Sequence, residues 1–451
     1  MAVYDIVVRG GRVVTPGGVQ LVGIAIKDGR FAAVGDIDTG DADRTIDAEG
    51  RWVLPGVVDS HVHVRDPGYT HKEDFSSCSV AAASAGITTM MCMPNTDPLL
   101  DSVETFQATV DAAEKSIIDY SLQGLACPRN LDAIPALAAL GVVTFEVFLA
   151  GPEPLVSVGP ADLRSVFEAI AAVDGIAGVY PDDPAANAVL DGLGSGTPDD
   201  LVASHPPELE VGSLLKAVAM AAAANCRVHY RQMSSALGAQ TAAALRARTM
   251  PRRFTTEVTP HHLTLTTADF RASGPAGYIM PPLRAQDDVD QLWKALDDGV
   301  IDAIGTDHAP HSWDEKTLGD GDLRRAMPGF PGVETFLPVI FTAFIARGYS
   351  AEDFVKYTTA NPARLFGLYP RKGAITVGSD ADLVIVDDSG RWTIDPASFH
   401  SKAQYSPYAG HEVGAHVDLT MVRGRVVFEQ GEIVGSAGDG CLQVPGEGLG
   451  R

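Results

Sequence analysis

The sequence predicts an α/β protein, a (β/α)8 barrel carrying a small β-sandwich assembled from both ends of the chain. Three observations carry that prediction. The middle of the chain, 56–370, alternates apolar strand-like runs with alanine-rich helical stretches. The flanks, 1–55 and 371–451, show short alternating runs punctuated by glycine instead. The total of 451 residues, 45% of them hydrophobic, suits one large barrel plus a smaller domain.

In the first flank, Ile6-Val7-Val8, Arg12-Val13-Val14, Ile24-Ala25-Ile26 and Phe31-Ala32-Ala33-Val34 are separated by Gly10-Gly11, Gly17-Gly18 and Asp28-Gly29. Such dipeptides supply the positive φ that tight hairpin turns need. The last flank has the same texture: Ala381–Val386 reads as a strand and Thr420–Phe428 as a hairpin. In the middle, strand-like pieces are Gly86–Met93, Gly141–Phe148, Cys226–Tyr230 and Ile301–Asp307. Val103–Lys115, Ala161–Val173 and Val211–Ala224 read as helices between them. Parallel strands need a crossover, usually a helix, so this alternation predicts a parallel barrel. A doubly wound open sheet is the alternative; no Gly-x-Gly-x-x-Gly turn follows an early strand, which counts against a dinucleotide-binding version.

The formal charge is −24, from 58 acidic and 34 basic residues. Such a surface repels phosphate backbones, so nucleic acid is not an expected partner. The five cysteines are scattered without zinc-ribbon or redox spacing and are expected to be free thiols in a reducing cytoplasm. The opening residues lack a basic segment and a long apolar run, so no signal peptide is expected. No segment reads as a membrane span.

His61-Val62-His63 closes the apolar run Val53–Ser60. Strand side chains alternate faces, so these imidazoles point the same way. At the C-terminal tip of a barrel strand they form the beginning of a divalent-metal site; two polar loop histidines are the competing reading. Asp307 ends another apolar strand and is followed by His308-Ala309-Pro310-His311. A carboxylate there can ligate a metal with one oxygen and take a proton with the other, or simply cap a helix.

With these motifs in place, the chain resembles the cyclic amidohydrolases, the group of dihydroorotase, allantoinase and hydantoinase. The matching segments are Val57–Gly68, Lys72–Phe75, Met93–Thr96, Glu257–His262, Pro281–Arg284, Thr306–His311 and Gly378–Leu383, in family order over nearly the whole chain. By motif it looks most like dihydroorotase, because Arg65, Asn95 and His311 fall where that subgroup binds the substrate carboxylate. The resemblance implies opening of a cyclic amide by a metal-bound hydroxide. His61 and His63 would hold the metal, and Asp307 would be both ligand and general base. It also implies a homodimer or homotetramer.

Three departures from the family matter. A lysine expected at the fourth strand tip is replaced by Glu146, and histidines expected at the fifth and sixth by Tyr180 and Gln232. Neutral Tyr and Gln are poor ligands, so a second metal site looks dismantled. His61, His63, Asp307 and, as a fourth ligand, Glu146 would hold a single Zn²⁺ or Mn²⁺. Tyr180, Gln232 and Met280 would line the substrate pocket beside Arg65, Asn95 and His311, and Asp182 and Asp183 are reserve ligands. The altered wall points to a ring other than dihydroorotate: a hydantoin, allantoin, another dihydropyrimidine, a cyclic imide or an oxopurine such as xanthine. The rival reading is a catalytically inactive dihydroorotase-like scaffold for a partner subunit.

Overall fold

A computed structural model describes residues 3–38, 40, 42–150, 157–192, 194–250 and 253–446. Eight parallel strands form the barrel. They are β1 (Val57–Val62), β2 (Ile87–Cys92), β3 (Asp119–Leu122, continued by Gly124–Leu125), β4 (Thr144–Phe148), β5 (Ile176–Tyr180), β6 (Arg227–Tyr230), β7 (Phe254–Val258) and β8 (Ala303–Ile304). Each pairs in parallel with the next. The ring closes where Val62 bridges His308 and the His63 N–H donates to the His308 carbonyl at 2.8 Å.

Helices return the chain to each new strand. Phe75–Ser84 begins at a capping box, with Asp74 accepting from the Ser77 N–H. In Gln286–Asp297, Val289, Leu292, Trp293 and Leu296 recur at helical spacing and are buried, while the acidic face stays outside. The central core is one cluster linking barrel strands to helices, including Val57, Phe145, Val147, Ala177, Phe167, Leu292 and Phe336.

β8 is shorter than the apolar run Ile301–Asp307 predicts. After Ile304, the Thr306 N–H and hydroxyl turn to the buried Asp59 carboxylate, at 2.9 and 2.6 Å. These side-chain bonds replace the ladder and release the strand tip.

The flanking strands form two facing sheets. One contains Arg30–Gly35, Gly23–Lys27, Tyr4–Arg9 and Ala42–Asp47 in that order. The other has seven strands drawn from both ends of the chain. In it Trp52–Pro55 lies between Leu383–Asp387, antiparallel with Val53 opposite Ile385, and Arg12–Thr15, parallel. Val8, Ile24, Ile26, Phe31, Val53, Leu383, Ile385 and Met421 fill the space between the sheets. The five cysteines are free. Among the described residues no helix is long and apolar enough to cross a membrane.

Candidate active site

The strand tips converge on one cluster. His61 Nε2 and His63 Nε2 each lie 3.1 Å from Asp307 Oδ1, and all three side chains are buried. β1 delivers its residues through a register shift between Asp59 and Val62, one extra residue against β2. This bulge lets both Ser60 and His61 reach Glu257 on β7. Asp307 leaves β8 at φ 48°, Arg65 follows β1 at φ 66° and Gln232 follows β6 at φ 52°. Three bulky residues in the left-handed region at one barrel mouth are local strain of the kind that functional sites hold.

Both imidazoles are fixed from behind. His61 Nδ1 lies 2.9 Å from Glu257 Oε1, and His63 Nδ1 lies 2.7 Å from Asn95 Oδ1. These oxygens can only accept, so each Nδ1 donates and each Nε2 faces Asp307, giving its proton to Oδ1 when the ring is charged and offering a lone pair when the ring is neutral. Burial pushes the His63 pKa down to about 4, against the hydrogen bond to Asp307, so the ring is neutral. Burial also opposes charge on His61, but Asp307 and Glu257 outweigh it and raise its pKa. For Asp307 burial works upward, yet His61 and His63 hold the carboxyl at about 2. Two imidazole nitrogens and a carboxylate oxygen, buried and aimed at one another, fit a divalent ion of the zinc or manganese kind.

Glu146 is a correction to the expected ligand set. It is fully buried, and its oxygens take the Arg231 guanidinium, Nη2 to Oε1 at 2.8 Å and Nε to Oε2 at 3.3 Å. The reason lies in the barrel layers. Glu146, Gly178 and His229 stand side by side on β4, β5 and β6. A Cβ at Gly178 would run into the Glu146 carboxylate, so only glycine leaves the room it occupies. Arg231, two residues beyond His229, then meets it as a buried ion pair. The reserve ligands are also engaged elsewhere: Asp183 caps helix Pro184–Asp191, and Asp182 accepts from the Asp183 N–H.

A cavity of about 610 Å³ opens above the cluster, lined by His63, Asp307 and the expected Arg65, Asn95, Tyr180, Gln232, Met280 and His311. Two of these have closer tasks than substrate contact: Asn95 holds His63, and the Gln232 amide donates to Asp307 Oδ2. Arg65 donates to Pro310 O at 3.3 Å and to His311 Nε2 at 3.2 Å. Burial lowers the Arg65 pKa to about 10. Burial, with Arg65 and Lys72 alongside, pushes His311 far down, so that ring is a neutral acceptor. The Tyr180 hydroxyl lies 2.7 Å from His61 Nε2, and its ring stacks on Phe148 at 4.7 Å and 15°.

Sequence reasoning missed Arg231, Glu257 and Phe148. Phase along the strand was the available signal. Phe148 lies two residues beyond Glu146 and opposite Tyr180, and Arg231 two beyond His229. His229 is held by Thr255 at 2.9 Å, a buried and satisfied histidine.

A closed parallel barrel, a sandwich from both chain ends and a buried His–His–Asp cluster able to hold a metal at the strand tips fit one class, the metal-dependent barrel hydrolases. The profile described as the Amidohydrolase family matches residues 52–173 and 187–427, and the chain belongs to that family. It is 34% identical over 448 residues to an L-hydantoinase of Paenarthrobacter aurescens, covering 97% of each chain. It is 35% identical over 438 residues to an allantoinase of Streptomyces avermitilis, covering 96% of this chain and 97% of the relative. Among solved structures, the L-hydantoinase (dihydropyrimidinase) from Arthrobacter aurescens superposes with a TM-score of 0.93 at 34% identity, covering 97% of this chain and 99% of that one. A dihydropyrimidinase from Brevibacillus agri gives 0.90 at 27% identity, covering 96% and 97%.

Proposed function

We propose that the protein opens the ring C–N bond of a hydantoin- or allantoin-type cyclic amide, with one zinc or manganese ion per chain held by His61, His63 and Asp307. The observation that carries this is the meeting of both Nε2 atoms on Asp307 Oδ1 beneath an open cavity. The names of the end-to-end relatives support the ring class.

When bound, such an ion supplies Lewis acidity, easing ionisation of water and polarising the ring carbonyl. The rest falls to the chain. Glu257 and Asn95 keep the two imidazoles in the tautomer that presents Nε2. Asp307, ionised by its histidine neighbours, accepts the proton of the attacking water and returns it to the departing ring nitrogen. Gln232 holds Oδ2 by its amide, so the carboxylate keeps one orientation through both transfers. Arg65 turns a buried guanidinium toward the cavity with only neutral acceptors against it, which suits a ring bearing an anionic or strongly polarised oxygen. Tyr180 on Phe148 offers a flat wall for the ring plane. We also propose a cytoplasmic homodimer or homotetramer.

The test is turnover of hydantoin, allantoin, dihydrouracil, dihydroorotate, a cyclic imide and xanthine, by chelated and by zinc- or manganese-loaded protein. Ring opening of a hydantoin or allantoin only when loaded supports the reading. Turnover that survives chelation refutes it. Loaded protein inert on all six rings points to the scaffold reading instead.

A further inference from the structure

Arg231 lies beneath the cluster and outside the cavity wall, fully buried. A guanidinium has five N–H donors. Here Nε donates to Glu146 Oε2 and Nη1 to Glu257 Oε2 at 2.8 Å and Ser60 O at 3.1 Å. Nη2 donates to Glu146 Oε1 at 2.8 Å and to Gln123 Oε1. The five donors have five acceptors, so none remains for a substrate. On the carboxylate side, Glu146 gives both oxygens to Arg231. Glu257 gives Oε2 to Arg231 and Oε1 to His61. Two buried carboxylates beside a divalent-ion site would by themselves be donors for another cation. Arginine does not lose its proton in a protein, so an ion can take these oxygens only by expelling the guanidinium.

We propose that Arg231 is a built-in cation that limits the barrel to one divalent ion, by saturating Glu146 and Glu257 where a second ion would otherwise bind. This rests on the functional reading above, since it presupposes the ion at His61, His63 and Asp307. Glu146 is then a counter-ion to arginine and no ligand.

The test is ion stoichiometry, by elemental analysis and by calorimetric titration of chelated protein with zinc, with melting curves to certify folding. Wild type takes up one ion per chain. E146Q keeps an acceptor for Arg231 and binds one ion with affinity within about threefold of wild type, against the 10–100-fold loss typical of a disturbed metal site. R231M leaves Glu146 and Glu257 without their cation and takes up two ions. R231M/E146L removes one of the two freed donors and returns to one. Two ions in wild type, a folded R231M with only one, or E146Q weakened more than about tenfold overturns the proposal. If R231M does not fold, R231Q, which keeps an amide donor but no charge, takes its place: two ions support the proposal and one overturns it. A wild type that binds no zinc fails the functional reading as well, which separates the two failures.

Discussion

Two groups of charged side chains sit a few ångströms apart in this barrel and are organised on opposite plans. In the Glu146–Arg231–Glu257 group every strong donor meets an acceptor, and no atom is left for an incoming molecule. In the His61–His63–Asp307 group the acceptors face one another, with their backs fixed by Glu257 and Asn95. The first arrangement is complete without a ligand. The second has its donor atoms aimed at one another and could hold a cation between them. Similar residue types at similar strand tips thus yield a strut in one place and, in the other, a cluster open to an ion and to the cavity.

The contrast makes quantitative demands. Asp307→Asn, which removes the carboxylate proposed to carry the proton and hold the ion, should lower kcat by about 10³-fold or more in metal-loaded protein. Arg231→Met should act on stability instead, costing about 3–5 kcal/mol in denaturant unfolding, because it strands two buried carboxylates. If Asp307→Asn proved the more destabilising of the two, the division of labour would be wrong. Asn95→Ala frees the His63 ring and should weaken zinc binding about 10–100-fold, with kcat on saturating zinc falling far less. Phe148→Ala removes the stack under Tyr180 and should raise KM about fivefold with metal affinity unchanged.

A pH series gives the smallest signal. In metal-free protein the Asp307 carboxyl titrates at about 2, below its ordinary 3.8. Its stabilising contribution is therefore complete above about pH 4 and lost as pH falls through 2. The Tm gap between metal-free wild type and Asp307→Asn should be widest from about pH 5 to neutrality, close toward pH 2, and narrow again at higher pH as His61, whose pKa is raised above its ordinary 6.5, loses its proton.

Much of this was legible in the sequence because it is local. His-x-His on a strand fixes two side chains to one face whatever the rest of the fold does, and Asp307 declares itself by ending an apolar run. The barrel follows from the strand–helix alternation, and the sandwich from the change of texture at both ends. The roles of Glu146 and Asn95 were not legible, because a partner far away in the sequence decides each. Glu146 reads as a ligand until Arg231, 85 residues later, is seen to cover both its oxygens. Asn95 reads as a substrate contact until His63, 32 residues earlier, is found against its carbonyl. Gln232 reads as a poor ligand on chemistry, and its bond to Asp307 depends on a left-handed turn that residue type does not announce.

The strand Trp52–Pro55 runs through Gly56 directly into β1, and its antiparallel neighbour Leu383–Asp387 lies more than 300 residues downstream. During synthesis the root of the histidine-bearing strand therefore stays unclamped on that side until most of the polypeptide has left the ribosome. Proteins truncated before that point would carry His61, His63 and Asp307 and yet lack the anchorage that sets them in place.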